Sequence, residues 1–506
     1  MQQSLSKKSS LELSIEIWEG NDAISMIDNH DFRVQWEFLL QECGYGSVFQ
    51  GPNFVIPWYK LNIQEFSPIV LATFSESRLV GLLTLARKLN STDRDQSRRL
   101  VGAGNFYALY QSWIVENPYL AEFWNRGIKN LLKKYPACVI NLKSVPNPEI
   151  YKDLLTLSDF RSSVVLERFH NPILDFSEEG YDKIFAKRHF KSKINRLNKA
   201  GKVQFEKIVS LEKLKEIFPT IATFYALRQG AAFNKIPYLS HEQEMDLFAA
   251  WLKEGILHMT CMWLDGSLIG AIAMINDFGK TGHLAGLITY SPSHARFSPG
   301  LVQLYYHATL LKQEHFENLK LSPGYDAYKD RFSNKHEEIH ELMISRDVFQ
   351  LAKRRIRIKF RKVLLKNRIR PMELEVIFSK WKSKLKKWPS TCWFRLTSRK
   401  ISMDEIVVEI KKLQKSEATF SIILDQDNLD HLLLADDSTF EVSRWEFLED
   451  ALERLEKNER FLCCINGTQL VLCVWYNGEA VDDLDRFMDA GNQVVITKIF
   501  NSQNLK

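Results

Sequence analysis

No stretch of this 506-residue chain reaches the roughly 18 consecutive apolar residues that a membrane-crossing helix needs. The amino terminus, Met1-Gln-Gln-Ser-Leu-Ser-Lys-Lys, is polar and has no apolar run behind it, so neither a signal peptide nor a span is expected and the chain is read as cytoplasmic. Cysteine is scarce. The seven present (Cys43, Cys138, Cys261, Cys392, Cys463, Cys464 and Cys473) are odd in number and scattered, with no CxxC pair, which excludes a disulfide framework and reads as reduced core residues. A phosphate loop is missing too: Gly102-Ala-Gly104 is a lone GxG with no P-loop lysine after it. What is there is globular, with 45% hydrophobic and 26% charged residues, and too long for one core.

A twelve-residue hairpin pattern occurs twice, as Phe74-Ser-Glu-Ser-Arg-Leu-Val-Gly-Leu-Leu-Thr-Leu85 and as Trp263-Leu-Asp-Gly-Ser-Leu-Ile-Gly-Ala-Ile-Ala-Met274. Each is an apolar strand entered through an aromatic residue, a polar turn, and a strand with a glycine, Gly81 or Gly270, at the same place. A glycine inside a strand weakens it unless a bulge or a close approach requires one, so the repetition predicts a duplicated unit. The order of elements agrees. The first half reads as a helix at Phe32–Gln41, the hairpin, an amphipathic helix at Tyr119–Tyr135 and a strand at Cys138–Leu142. The second reads as a basic helix at Tyr181–Ala200, a strand at Val203–Ile208, helices at Leu211–Arg228 and His241–Glu254, and the hairpin. It continues with a strand at Gly282–Thr289, a helix at Pro299–His315, and strands at Asn318–Leu321 and Ile339–Ile344. Alternating strands and helices with hairpins predict an α/β fold with mixed sheets.

Charge marks the remaining boundaries. Residues 401–506 carry 10 Lys/Arg against 21 Asp/Glu, a net of −11, which leaves +17 for residues 1–400 of the total of +6. The chain therefore divides into a tail (1–14), two modules (15–175 and 176–348), a basic helix and linker (349–400) and a small acidic α/β domain (401–506), for which regulation or docking is the expectation. Between Lys353 and Arg370 stand ten Lys/Arg and no acid, and Val348, Ala352, Ile356, Phe360 and Leu364 step by four through that stretch. A basic helix with an apolar stripe suits an anionic surface: a lipid headgroup layer, a nucleic acid backbone, or the acidic domain itself. The alternative is a solvated helix whose stripe packs on the second module.

Residues 290–332 are the richest in chemistry. Ser298-Pro299-Gly300 opens an apolar-periodic helix, with Ser298 placed to cap it, Pro299 at its first position and Gly300 allowing an anion close to the main chain. Beyond the next strand, Gly324 forms a turn that brings Asp326, Tyr328 and Lys329 to a strand end, where α/β sheets gather ligands. His336-Glu-Glu-Ile-His340 satisfies the zinc pattern H-E-x-x-H, but its flanks read as a turn and a strand and no third ligand follows, so no metal is expected. Tyr107, Tyr110 and Trp113, without interleaved basic residues, read as core or groove lining.

Ser298-Pro299-Gly300, a helix, and then Gly324-x-Asp326-x-Tyr328-Lys329-x-x-Phe332, with the earlier Phe224-Tyr-Ala-Leu-Arg228 and the paired hairpins, resemble the acetyltransferase domain of CelD-like, polysaccharide-associated members of the GNAT superfamily. The resemblance spans about residues 15 to 350. It implies two tandem GNAT-like modules, similar to the Fem-type peptidoglycan aminoacyltransferases, and transfer of an acyl group from acyl-coenzyme A to an amine such as an amino sugar. Where that family usually has an acidic residue and a glycine before the glycine turn, this chain has Lys320 and Ser322. The implied chemistry is direct attack. Asp326 would position or deprotonate the amine, Tyr328 would protonate the leaving sulfur, and Lys329 and Arg228 would meet anionic groups. Ser298, Pro299, Gly300 and Gly324 would bind the acyl donor. A polysaccharide context also implies peripheral contact with the inner membrane face through residues 353–370. Two further readings stay open: aminoacyl transfer from charged tRNA, which suits the basic helix Lys187–Lys199, and a catalytically silent scaffold of a polysaccharide assembly.

Overall fold

The two sequence hairpins are one piece of structure built twice. The computed structural model describes residues 13–90, 92–146, 160–177, 180–186, 188–237, 242–324, 327–381, 422–437, 442–477 and 495–501. Strands β1 (Leu13–Glu19), β2 (Phe66–Ser75), β3 (Arg78–Lys88) and β4 (Arg99–Gly102) form an antiparallel meander, and the short β5 (Ile114–Val115) adds to β3. Next, β6 (Val139–Pro146) pairs parallel to β4, and β7 (Val164–Asp175) follows. The second half repeats the pattern. There β8 (Val203–Ile208), β9 (Leu257–Leu264), β10 (Ser267–Asp277) and β11 (Thr281–Tyr290) make the meander, β12 (Asn318–Lys320) pairs parallel to β11, and β13 (Lys335–Ser345) comes last.

Each hairpin turns through two residues of positive φ, Glu76 and Ser77 (48° and 67°) in one and Asp265 and Gly266 (49° and 82°) in the other, the I′ geometry that matches strand twist. Each then slips register at one residue. Leu79↔Phe74 is followed by Gly81↔Thr73, and Leu268↔Trp263 by Gly270↔Met262, so Val80 and Ile269 are equivalent bulges and the glycines are the residues after them. Gly81 is required by packing as well: a Cβ there would lie 2.9 Å from Cδ2 of Phe123.

The halves do not separate at residue 175. β7 leaves the first half and pairs with β12, while β13 leaves the second and pairs with β6. The two exchanged strands pair with each other from Lys335↔Ile173 to Ile344↔Val164. One thirteen-stranded mixed sheet results, in the order β1-β2-β3-β4-β6-β13-β7-β12-β11-β10-β9-β8. Helices His30–Glu42 and Pro52–Leu61 of the first half and Leu211–Phe233 and Glu242–Lys253 of the second bury into one common core. At its centre Phe54 stacks on Trp251 with ring centroids 4.8 Å apart, and the Trp251 indole N–H donates to the Phe54 carbonyl. Each such fully buried aromatic contributes on the order of 3 kcal/mol.

Three sequence expectations change. The stretch Tyr119–Tyr135 is broken into short helical pieces with a π turn at Phe123–Ile128, because Pro118 starts it as a 3₁₀ turn and Gly127 sits within it. Tyr181–Ala200 is two helices, Gly180–Phe185 and Arg188–Ala200. The basic helix Val348–Lys366 does not pack through its stripe: Val348, Ile356 and Phe360 are exposed, while Leu351 is buried and Ile358 packs beside it. Ion pairs orient it. Arg354 reaches Glu167 of β7 and Glu341 of β13, both at 2.6 Å, and Arg361 reaches Glu167 at 2.9 Å. Unpaired carboxylates on those strands would cost more than exposing apolar groups.

In the acidic unit β14 (Ile422–Gln426), β15 (Arg460–Asn466), β16 (Gln469–Asn477) and β17 (Val495–Asn501) form an antiparallel sheet, with an Asn466-Gly467 turn between β15 and β16. Its helix Arg444–Glu456 packs on helix Leu211–Phe233, where Leu448 approaches Gly230 and Trp445 donates to the Ala231 carbonyl at 2.9 Å.

Candidate active site

Strands β11 and β12 run together for three residue pairs, Thr281↔Asn318, Gly282↔Leu319 and His283↔Lys320, and then part. β11 bulges at the same level: Met274 pairs with Leu284 but Ile272 with Ile288, so three β11 residues face one on β10, and Gly286 takes φ +78° within the bulge. Ser322, where a glycine was the family expectation, adopts φ 66°, the left-handed conformation a glycine would supply, and its hydroxyl donates to the Leu284 carbonyl at 3.1 Å. Arg228, on helix Leu211–Phe233, lies over the Tyr290 ring at 4.3 Å and donates to the Ile288 carbonyl at 2.8 Å. Its cation holds β11 beside the split.

The first half has the same geometry with the opposite outcome. β4 and β6 run parallel for three pairs, Arg99↔Val139 to Val101↔Asn141, and would then part. Gln111 fills that opening. Its backbone N–H donates to the Lys143 carbonyl, its side-chain carbonyl accepts from the Lys143 N–H, and a Cβ on Gly102 would lie 2.7 Å from its side chain. At the second split the Ser322 hydroxyl makes a single bond across to β11, and the Phe106 ring stands against the bulge, where a Cβ on Gly286 would lie 3.1 Å from it.

Past the split, the end of β11 at Tyr290 stands beside the start of the helix Pro299–Gln313. Ser298 precedes it at φ 56°, ψ 50° and does not cap it: the hydroxyl instead accepts from the Lys193 ammonium at 2.7 Å. A residue in the left-handed region points its side chain away from the first turn, which leaves the cap position to something else. Gly300 is a close approach too, though to Tyr290, whose ring would meet a Cβ there at 3.0 Å. Arg196 donates to the Arg296 carbonyl, and both guanidiniums flank the Phe297 ring. Burial, and then the charges of Arg331 and Arg196, push the Lys193 ammonium below its ordinary range. Lys193, Arg196 and Arg296 thus bring positive charge to the start of this helix.

The other side of the split carries a polar cluster that the sequence did not reveal. Lys320 donates to Tyr110 Oη at 2.6 Å and to Glu337 Oε2 at 2.9 Å; Tyr110 and Asn171 both donate to Glu337 Oε1. The acid missing from β12 thus arrives from β13. Burial, and then Glu337, hold the Tyr110 phenol well above its usual range, so it stays a donor. His283, fully buried against Tyr110 and 3.1 Å from Asp277, is kept neutral chiefly by burial. Alternation along β13 puts Glu337 and Glu341 on one face. On that face a cleft of about 760 Å³ runs from Gly324 and Pro323 past Phe169 and Glu341 to Arg361, Met372 and Ile377.

Of the residues expected to act, Asp326 lies outside the described residues. Tyr328 falls in the helix Ala327–Phe332, where only its backbone is described. Lys329 is buried and its ammonium lies 3.5 Å from the Pro323 carbonyl, inside the glycine turn. Gly324 borders the cleft, and Ser298, Pro299 and Gly300 stand at the helix start. His336 and His340 lie on strand β13, not on a helix, so they are about 13 Å apart and share no metal. Tyr110 and Glu337, 227 residues apart, had no local signal; only the departure at Lys320 pointed to the place.

Residues 185–330 match the family model of the acetyltransferase (GNAT) domain. No curated protein sequence matches the chain. Among solved structures, one titled crystal structure of FemX is similar at 10% identity and TM-score 0.45, over 63% of this chain and 98% of that one. The C-terminal domain of a putative lysylphosphatidylglycerol synthetase from Agrobacterium fabrum gives 10% and 0.42, over 66% and 95%. A tandem GNAT protein from the clavulanic acid biosynthesis pathway gives 12% and 0.38, over 65% and 98%.

Proposed function

We propose that the second module is the transferring half of an acyl-coenzyme A-dependent N-acyltransferase of the CelD-like kind, acting on an amine acceptor in envelope or exopolysaccharide synthesis. The observation that carries this reading is the contrast between the halves: inside the GNAT-matching stretch β11 is bulged and leads to a cation-flanked helix start, whereas the corresponding strands of the first half are bridged by Gln111.

In this reading the donor's phosphates meet the start of helix Pro299–Gln313 and Lys193, and its thioester lies along the bulge of β11. The acceptor enters by the cleft, with Glu337 as the carboxylate that meets its nitrogen and Asp326 kept as the sequence's candidate for the same task. The neutral amine attacks the thioester carbon, the C–S bond breaks, the amine proton passes to a carboxylate, and the thiolate takes a proton from Tyr328. In the same reading main-chain N–H groups of the bulge meet the oxyanion.

Calorimetric titration with acetyl-, longer acyl- and free coenzyme A tests it, with saturable heat expected for at least one. No heat up to millimolar concentration would count against acyl-coenzyme A and favour aminoacyl transfer from tRNA, for which the basic helix Arg188–Ala200 is the supporting observation.

A further inference from the structure

The chain's exposed apolar residues are concentrated in one place. Of the fifteen large hydrophobic residues exposed among the described residues, ten lie between Val348 and Trp381. This stretch is the helix Val348–Lys366 followed by a second helical run over residues 371–381. Its inner side is already occupied by Leu351, Ile358 and the ion pairs of Arg354 and Arg361, so the exposed side chains are not a failed core.

At about 100° per residue, Phe349, Ile356, Phe360 and Val363 fall within a strip of about 60° on the outward side. Cations flank the strip on both sides, Lys359 and Lys366 along one and Arg357 along the other. Arg357, Lys359, Lys362, Lys366 and Arg368 form no ion pair among the described residues, whereas Lys353, Arg354 and Arg361 are paired. Phe378 and Trp381 continue the apolar character along the second run, at 67% and 63% exposure.

We propose that the outward face of residues 348–381 lies in the plane of an anionic phospholipid bilayer, its strip among the acyl chains and its flanking cations at the headgroups. The geometry is that of an interfacial helix: an apolar strip, cations on both margins and no length of apolar chain that could span. Nucleic acid would neutralise the cations but leave the strip in water. Arg361, Met372 and Ile377 of the same two helical runs also line the cleft described above. The inference stands whether or not the transfer reading does.

The test is co-sedimentation of the full-length chain with vesicles of phosphatidylcholine alone or with phosphatidylglycerol added. Partition onto the anionic vesicles is expected to exceed that onto neutral ones by at least about tenfold at low salt and to fall about tenfold near 0.5 M salt. The double substitution Ile356→Glu/Phe360→Glu is expected to abolish binding with an unchanged melting temperature, since both sites are exposed. Absence of binding at low salt, or equal binding by the double variant, overturns the proposal. So does a wild-type dimer that the double variant dissociates, which would make the face an interface between copies. Retention of tRNA, lost on Lys359→Glu/Lys366→Glu but kept by the apolar variant, with no vesicle binding, would assign the face to nucleic acid instead.

Discussion

Gln111 and Lys143 form a closed ring across the first module: the Gln111 N–H donates to the Lys143 carbonyl, and the Lys143 N–H donates to the Gln111 side-chain carbonyl, both at 3.0 Å. The contact does for β6 what a neighbouring strand would do. The second module has one bond at the corresponding place, from the Ser322 hydroxyl to the Leu284 carbonyl, and in the proposed reading that module carries the site.

Gln111→Ala is expected to lower stability by about 0.5–1.5 kcal/mol, because it removes the part-buried hydrogen bond that the Lys143 N–H donates. Turnover per folded molecule should stay at the wild-type value. Thermal melts paired with a transfer assay check this, and a selective loss of turnover would put the site in the wrong module.

Glu337→Gln should lower transfer at least about tenfold, as should Asp326→Asn and Tyr328→Phe, each with kcat falling more than KM rises. Glu337→Gln removes a charge that Lys320 faces at 2.9 Å, so a modest drop in melting temperature is expected there. Steady-state kinetics with a panel of amino sugars is the measurement. Loss of stability without selective loss of turnover would make these residues structural.

Lys193 supplies a pH signature. Its ammonium lies below the ordinary 10.5, burial being the larger cause and the Arg331 and Arg196 charges the next. A bound phosphate favours the charged form, so binding acetyl-coenzyme A should raise that pKa and take up a proton in alkaline solution. Affinity is then highest below the free protein's Lys193 pKa and falls as pH rises through it. Titrations in buffers of different ionisation enthalpy detect the proton, and Lys193→Arg, charged throughout, should lose the pH dependence. A slope unchanged by that substitution removes Lys193 from the site.

Stability should fall in mild acid. His258, His283 and His307 are all held below 6.5, burial being the largest cause for each. The unfolded chain protonates them near 6.5 while the folded chain does not, so stability is full above that pH and is lost below it, by up to about 1.4 kcal/mol per pH unit per histidine. Melting temperatures from pH 7.5 to 5.5 measure the slope, which His307→Gln should reduce. A flat profile would mean that these rings are protonated in place.

The sequence by itself determined what depends on near neighbours along the chain. Hairpin turns, the bulge glycines, the proline-started helix and strand Val203–Ile208 are set by local sterics and by side-chain period, and a run of some ten residues contains the cause. The GNAT-like order of motifs was legible for the same reason. Tertiary structure decided what depends on distant partners. Only the sheet shows that β7 and β13 change places, because a strand's pattern records which face it buries but not which neighbour it takes. Only packing brings Glu337 and Tyr110 to Lys320, supplying from other strands the acid that β12 lacks. The basic helix makes the same point: its apolar stripe was plain in the sequence, but the carboxylates of Glu167 and Glu341 chose which side faces inward, since an unpaired buried charge costs more than an exposed phenylalanine.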